Sequence, residues 1–303
     1  MIHTVTFNPS VDYIVHIPSV TVGVTNRSLH EELYFGGKGI NVSCVLRELG
    51  VSSVAHGFKA GFTGQAIEDH LRSLDIATHF IPLPRGNSRI NVKLSADCET
   101  EINGQGPDIP SDALKELISA LSQLREGDTL VLAGSIPSSL PQDTYETILK
   151  IVSAKSIRCV VDASGELLVN TLSYHPFLVK PNLRELEDIF SVKIVTMHDV
   201  ERYGSRLLAR GAQNVLVSMG CEGALLIDGD GLYYGMPALP VQTVNTVGAG
   251  DSMVAGFLAG YDKSGDPEEA LRLGTVCGAA TASLPGLATK ETIDALASAF
   301  ANH

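Results

Sequence analysis

Residues 245–252 read Asn245-Thr246-Val247-Gly248-Ala249-Gly250-Asp251-Ser252 and run directly into an apolar helical pattern, Met253 to Leu258. The three small residues expose backbone amides that can approach an anion at the amino end of that helix. Asp251 falls in the first turn, where a carboxylate can accept a proton. Amides around an anion beside a carboxylate suit phosphoryl transfer. Taken alone, the pattern also fits a glycine-rich helix start with an ordinary aspartate.

The rest of the chain alternates apolar strand patterns with amphipathic helical patterns. Strands are expected at Ile2–Phe7, Thr129–Ala133 and Arg158–Asp162, and helices at Gly39–Leu49 and Pro141–Val152. Such alternation predicts an α/β fold, with a mostly parallel sheet and helices on both faces. Ligands of such sheets bind beyond the carboxyl ends of the strands.

Two stretches, about 11–35 and 88–103, alternate as strands with no helix between them. They predict a small projecting sheet, which we interpret as a lid. The sequence shows no linker, internal repeat or low-complexity tract that would divide it. We therefore expect one domain over 1–303 with the lid attached.

The composition of the chain excludes several classes of function and partner. The 303 residues carry a net charge of −12, which argues against a nucleic-acid or anionic-membrane partner but leaves room for a small anionic substrate in a cleft. No transmembrane or signal-peptide pattern is found. Five scattered cysteines without a CxxC pair indicate free thiols in a reducing compartment. A cytoplasmic protein is predicted, and without HExxH or an evident histidine pair no zinc site is expected.

Four further motifs could carry chemistry. Gly36–Asn41 (GGKGIN) lacks the Walker A pattern, but it places a lysine and an asparagine beside a helix start. Asp12 follows the first strand, where its carboxylate could accept hydrogen bonds from sugar hydroxyls or act as a local cap. In residues 180–185, Asn182 and Glu185 are three apart and could hold a hydrated Mg²⁺. The glycines of 218–224 would permit close approach of a nucleotide.

These five motifs, in this order, resemble the ribokinase/PfkB family of carbohydrate kinases. The most diagnostic are GGKGIN at 36–41 and TVGAGDSM at 246–253, and the match runs from Val5 to about Gly286. Residues 4–13, 41–43 and 100–104 are similar to the ketohexose-phosphate kinases within it. The resemblance implies a ribokinase-like fold with a β-sheet lid, which in relatives often pairs two subunits, so a homodimer through the lid is expected.

The resemblance also assigns roles to individual residues. Asp251 matches the catalytic base, and the anion hole would consist of Gly248, Ala249 and Gly250. The expected substrate-binding residues are Asp12, Arg27, Gly37, Lys38, Asn41, Ser88 and Arg89. The expected nucleotide-binding residues are Lys180, Asn182, Ser218, Gly220, Gly223, Thr275 and Ala279. Asn182 and Glu185 match a motif linked to Mg²⁺.

The implied reaction is ATP- and Mg²⁺-dependent phosphorylation of fructose 1-phosphate at its 6-hydroxyl, giving fructose 1,6-bisphosphate. Tagatose-6-phosphate kinase activity is the alternative, and a non-catalytic sugar-phosphate sensor is a second. A nucleoside or free-sugar kinase is a weaker rival. Potassium dependence stays open, because Asn245 and residues 284–286 depart from the pattern of cation-dependent relatives.

Overall fold

The computed structural model describes residues 1–97 and 100–300, which form thirteen strands and ten α-helices. The strands are β1 Ile2–Thr6, β2 Ser10–His16, β3 His30–Gly36, β4 Ser53–Lys59, β5 Ala77–Pro82, β6 Arg89–Ser95, β7 Thr100–Asn103, β8 Thr129–Ala133, β9 Arg158–Asp162, β10 Leu178–Val179, β11 Val215–Ser218, β12 Ala224–Ile227 and β13 Tyr233–Met236. The helices are α1 Lys38–Glu48, α2 Gly61–Ser73, α3 Ser111–Leu121, α4 Thr144–Val152, α5 Gly165–Thr171, α6 Leu183–Phe190, α7 Met197–Ala209, α8 Ala249–Ser264, α9 Pro267–Ala282 and α10 Lys290–Phe300.

Nine strands form the main sheet, in the order β13-β12-β11-β10-β9-β8-β1-β4-β5. The pairs from β5 to β11 are parallel, and the last two pairs, β11–β12 and β12–β13, are antiparallel. The chain leaves β1 toward β4 on one side and later fills the other side from β8 outward. This change of direction beside β1 is a topological switch point, where α/β sheets bind ligands at the carboxyl ends.

The core lies on both faces of the main sheet. Along β8, Leu130 and Leu132 pack into one apolar cluster while Val131 and Ala133 pack into the other. Successive side chains of a strand point to opposite faces, so an uninterrupted apolar strand is buried on both sides. The expected α/β fold with a mostly parallel sheet is confirmed.

The four remaining strands form a separate sheet in the order β3-β2-β6-β7. These strands come from the two stretches in which the sequence predicts lid strands. Residues 98 and 99 of the predicted lid and residues 301–303 of the predicted domain lie outside the described residues. We call this sheet the lid. Pairing of β2 with β6 is parallel, and the outer two pairings are antiparallel.

The prediction that a helix begins at Pro141 is wrong. The helix begins at Thr144, because Thr144 donates its amide and its hydroxyl to the Pro141 carbonyl and closes a turn there. The four described cysteines, Cys44, Cys159, Cys221 and Cys277, are free thiols; Cys98 lies outside the described residues. Within the described ranges, no helix has both the length and the apolar character needed to cross a membrane.

Candidate active site

The start of α8 forms one wall of a cavity of about 830 Å³ between the main sheet and the lid. Gly248 caps the helix in the left-handed region (φ 82°), a conformation that glycine adopts without strain. The Ala249 amide donates to the Thr246 carbonyl at 3.2 Å, so this member of the expected anion hole already has an acceptor. The helix start nevertheless directs its positive end at the cavity.

Asp251 lies in the first turn of α8 and is only 5% exposed. Burial raises its pKa to about 7, and the negative charge of Asp162 contributes in the same direction. Lys38 and a 2.8 Å hydrogen bond from Asn41 Nδ2 to Asp251 Oδ2 oppose that rise. A carboxylate with a pKa near neutrality is suited to accept a proton from an alcohol.

Asp162 ends β9 at the carboxyl edge of the sheet and is buried beside two cations. Its Oδ1 lies 3.0 Å from Lys38 Nζ and 3.5 Å from Lys180 Nζ. Burial alone would raise the pKa of Asp162, but the charges of Lys180 and Lys38 outweigh it and hold the pKa below its usual range. The other oxygen, Oδ2, is buried without a hydrogen-bond partner among the described residues. Asp162 was missed from the sequence, although it directly ends a predicted strand.

The lid contributes the opposite wall of the cavity. The register of β2 against β6 places Asp12 opposite Asn91, and Asn91 Nδ2 donates to Asp12 Oδ1 at 2.7 Å. Arg89, opposite Ser10, donates from Nε to the Asn8 carbonyl at 3.1 Å. Burial lowers the pKa of Arg89, and the charge of Asp12 opposes this shift. Asn91 is a further lining residue that the sequence analysis missed, because only the β2–β6 pairing brings it to Asp12.

Most of the residues predicted from the sequence line this single cavity. They are Asp12, Gly37, Lys38, Asn41, Arg89, Lys180, Asn182, Glu185, Ser218, Gly220, Gly223, Gly248, Ala249, Gly250, Asp251, Thr275 and Ala279. Residues far apart in the chain therefore meet at the carboxyl ends of the strands.

Ser88 and Arg27 are not among the lining residues. Ser88 is buried, its hydroxyl accepts a hydrogen bond from the Ala60 amide, and its carbonyl accepts one from Thr63 Oγ1. These two bonds hold Ser88 against the start of α2. Arg27 is exposed in the segment between β2 and β3.

Asn182 and Glu185 form a reciprocal capping box at the start of α6. Asn182 Oδ1 accepts from the Glu185 amide, and Glu185 Oε2 accepts from the Asn182 amide, both at 2.8 Å. The spacing of these two residues is therefore accounted for locally. Both still face the cavity, and their oxygen atoms belong to the ligand type that Mg²⁺ prefers.

The far end of the cavity is built from small and apolar residues. Gly220 and Gly223 have positive φ values of 59° and 96°, and a Cβ on Gly223 would lie 2.0 Å from the Met236 carbonyl oxygen. Thr275 donates its hydroxyl to the Leu271 carbonyl, so it presents mainly its methyl group. Apolar walls between glycine-rich turns can accept a flat ring such as a nucleotide base.

Asn245, which differs from the pattern of cation-dependent relatives, stabilises the loop before α8 through two hydrogen bonds. Its Nδ2 donates to the Pro285 carbonyl at 2.8 Å, and its Oδ1 accepts from the Val247 amide at 2.9 Å. Asn245 is thus bonded to residues 284–286, the other segment that differs from the pattern of cation-dependent relatives.

Fold and site together define a small-molecule kinase of the ribokinase-like type. Residues 5–293 match the model of the pfkB family carbohydrate kinases. The chain belongs to this family, as its sequence motifs predict.

Individual relatives cover nearly the whole chain. The 1-phosphofructokinase of Bacillus subtilis is 48% identical over 296 residues, covering 98% of this chain and 97% of the relative. The D-tagatose-1-phosphate kinase of Bacillus licheniformis is 36% identical, covering 98% of both chains. Phosphofructokinase-2 of Escherichia coli, solved in complex with fructose-6-phosphate, superposes with a TM-score of 0.91 at 26% identity and 99% coverage of both chains. Other structures of that protein contain potassium or show a tetrameric inhibited form.

Proposed function

We propose that this chain transfers the γ-phosphate of ATP to the 6-hydroxyl of fructose 1-phosphate, with Asp251 as the catalytic base. The observation that carries the proposal is the buried carboxylate of Asp251, which has a pKa of about 7 at the positive end of α8 inside the cavity. The 48% identity to the 1-phosphofructokinase of B. subtilis supports this choice of substrate.

Arg89 is the best placed cation for the phosphate that the substrate already carries. Lys38 is paired with Asp162 at 3.0 Å, and Lys93 lies 3.5 Å from Glu101, so both charges are already compensated. Within residues 1–97 and 100–300, Arg89 donates a hydrogen bond only to a backbone carbonyl, which leaves other guanidinium donors for an anion. Lys38 then assists from the main-sheet side, while Asp12 and Asn41 orient sugar hydroxyls.

In the transfer step, Asp251 accepts the proton of the attacking hydroxyl as the new oxygen–phosphorus bond forms. The bond between the γ-phosphorus and the β–γ bridging oxygen breaks at the same time, and ADP leaves with that oxygen. The amides at the start of α8 other than that of Ala249, together with Lys180, neutralise charge on the transferred group. Asn182 and Glu185 are the residues that would hold Mg²⁺, which when bound neutralises the nucleotide phosphates. Thr275 and Ala279 flank the base. The lid excludes water, which would otherwise compete as an acceptor.

The single kinase domain pairs with a second copy through its lid. One lid face carries Asp12, Arg89 and Asn91 toward the cavity, whereas the opposite face exposes Tyr13, Leu33, Ile90 and Ile102. Four exposed apolar side chains on one sheet face form a patch that favours association. Ile102→Glu should shift the protein from dimer to monomer in sedimentation-velocity measurements. Monomeric behaviour of the unaltered protein would contradict the pairing.

A second candidate substrate is tagatose 1-phosphate, favoured by the 36% identity to a kinase named for it. Its phosphate is on carbon 1, as in fructose 1-phosphate, and not on carbon 6 as in tagatose 6-phosphate. The free thiols of the four described cysteines and the proposed use of ATP fit a cytoplasmic enzyme. Potassium activation is testable by replacing K⁺ with Na⁺ in the assay.

Asp251→Asn tests the base directly and separates the kinase from a non-catalytic sensor. The variant should lose about 10²–10⁴-fold in kcat while fructose 1-phosphate binding, measured by calorimetry, is largely retained. Asp188→Asn, at an exposed position of α6, is the matched control and should behave as wild type. Near-normal turnover of Asp251→Asn would refute the assignment of the base.

A further inference from the structure

The lid carries a cluster of metal-ligating side chains that the proposed reaction does not use. It consists of His16 at the end of β2 together with His30 and Glu32 at the start of β3. One potential ligand atom from each of the three residues lies within 4.8 Å of the others. This cluster could not be recognised in the sequence, because 13 residues separate the two histidines and only strand pairing brings them together.

Strand register accounts for the geometry of the cluster. His16 and His30 are direct cross-strand partners, and their rings stack with centroids 4.3 Å apart. Glu32 pairs with Ile14 and therefore lies on the same lid face, one alternation further along β3. Directly opposed residues of an antiparallel pair have their Cβ atoms about 4.5–5.5 Å apart, which lets both side chains reach one ion.

The distances are close to those of a zinc-type site. Glu32 Oε1 lies 2.8 Å from His16 Nε2 and 3.2 Å from His30 Nε2. Around a tetrahedral ion with bonds of about 2.0–2.1 Å, neighbouring ligand atoms are about 3.3 Å apart. A shift of roughly half an ångström would therefore bring Glu32 Oε1 and His16 Nε2 to this spacing.

A supporting contact orients the carboxylate. The Tyr34 hydroxyl donates a hydrogen bond to Glu32 Oε2, which leaves Oε1 directed at the two imidazoles. Metal-binding carboxylates are commonly fixed by such outer contacts.

We propose that His16, His30 and Glu32 form a binding site for one divalent transition-metal ion of the zinc type. Two imidazoles and a carboxylate leave a fourth position for water. Mg²⁺ is disfavoured here because it prefers oxygen ligands in octahedral geometry. A bound ion joins β2 to β3 at the base of segment 17–29 and stabilises that end of the lid. The site lies about 13 Å along β2 from Asp12, on the same face.

Calorimetric titration of the metal-free chain with Zn²⁺ tests the site. We expect one ion per chain, and at least about tenfold weaker binding for the double variant His16→Asn/His30→Asn. Tyr34→Phe removes no proposed ligand atom, but it removes the hydrogen bond that orients the Glu32 carboxylate. This variant should therefore bind Zn²⁺ about tenfold more weakly. His198→Asn is the control, since this exposed histidine lies 3.6 Å from Glu201 Oε2 on α7 and does not belong to the lid cluster.

Thermal unfolding provides a second readout and a check on folding. Zn²⁺ should raise the unfolding temperature of the wild type but not that of the double variant, whose metal-free midpoint shows whether it is folded. Equal Zn²⁺ binding by wild type and double variant would overturn the proposal. So would the absence of a high-affinity ion in the wild type, or displacement of Zn²⁺ by equimolar Mg²⁺.

Discussion

The pKa of Asp251 makes a quantitative prediction about the pH dependence of turnover. The profile of kcat/KM reports ionisations of the free enzyme. Because burial raises the pKa of Asp251 to about 7, only about one tenth of the molecules carry the ionised base at pH 6, against about nine tenths at pH 8. Activity should therefore fall about tenfold between pH 8 and pH 6, with a midpoint near 7.

Asn41→Ala separates this ionisation from that of the substrate phosphate. The variant loses the 2.8 Å hydrogen bond to the charged form of Asp251. Hydrogen bonds to charged groups contribute about 1.5–3 kcal/mol, so the pKa should rise by about one to two pH units. Wild type and variant are compared by steady-state ADP release from pH 5.5 to 9 with the same sugar phosphate. A wild-type midpoint near 4, or an identical midpoint in both proteins, would refute the reasoning.

Three other perturbations have defined outcomes. Asp162→Asn leaves the buried Lys180 and the partly exposed Lys38 without their shared counterion. The free energy of unfolding should therefore fall by about 3–5 kcal/mol in urea titrations, and an unchanged midpoint would contradict the role of this ion pair. Gly248→Ala places a Cβ 2.6 Å from a leucine side chain at φ 82°, so kcat should fall at least about tenfold, and normal kinetics would show that the α8 start tolerates displacement. Burial lowers the pKa of His56 to about 3 in the folded chain, whereas the unfolded chain binds this proton below about pH 6.5. The contribution of His56 to the free energy of unfolding is therefore complete above about pH 6.5. Below that pH the free energy of unfolding should fall by up to about 1.4 kcal/mol per pH unit. His56→Gln should show a shallower acid slope in the same titrations, and an equal slope would remove His56 from the explanation.

Much of the main sheet could be predicted because its strands are continuous apolar runs. β8 and β9 occur with the predicted bounds, Thr129–Ala133 and Arg158–Asp162. Burial on both faces leaves such runs few alternatives to a central strand. Helix starts were less accurate: a proline at 141 indicated a beginning that a turn postpones to Thr144.

The site was predicted where function depends on short local motifs and missed where it depends on strand pairing. The α8 start and GGKGIN are local, and both line the cavity. Asn91 reaches Asp12 only through the β2–β6 register, and Asp162 acquires its significance from two lysines distant in sequence. The histidine pair on the lid was hidden for the same reason. Asn182 and Glu185 were found from their spacing, but the same spacing also produces a capping box at the start of α6. The sequence pattern therefore does not distinguish metal binding from helix capping.

The substrate is tested most directly by measuring ADP release from ATP and Mg²⁺ with four sugar phosphates in parallel. These are fructose 1-phosphate, tagatose 1-phosphate, tagatose 6-phosphate and fructose 6-phosphate. We expect kcat/KM for fructose 1-phosphate to exceed the value for each of the others by about tenfold or more, a difference of about 1.4 kcal/mol in transition-state binding. A preference for either 6-phosphate, or no turnover with any of the four, would contradict this expectation.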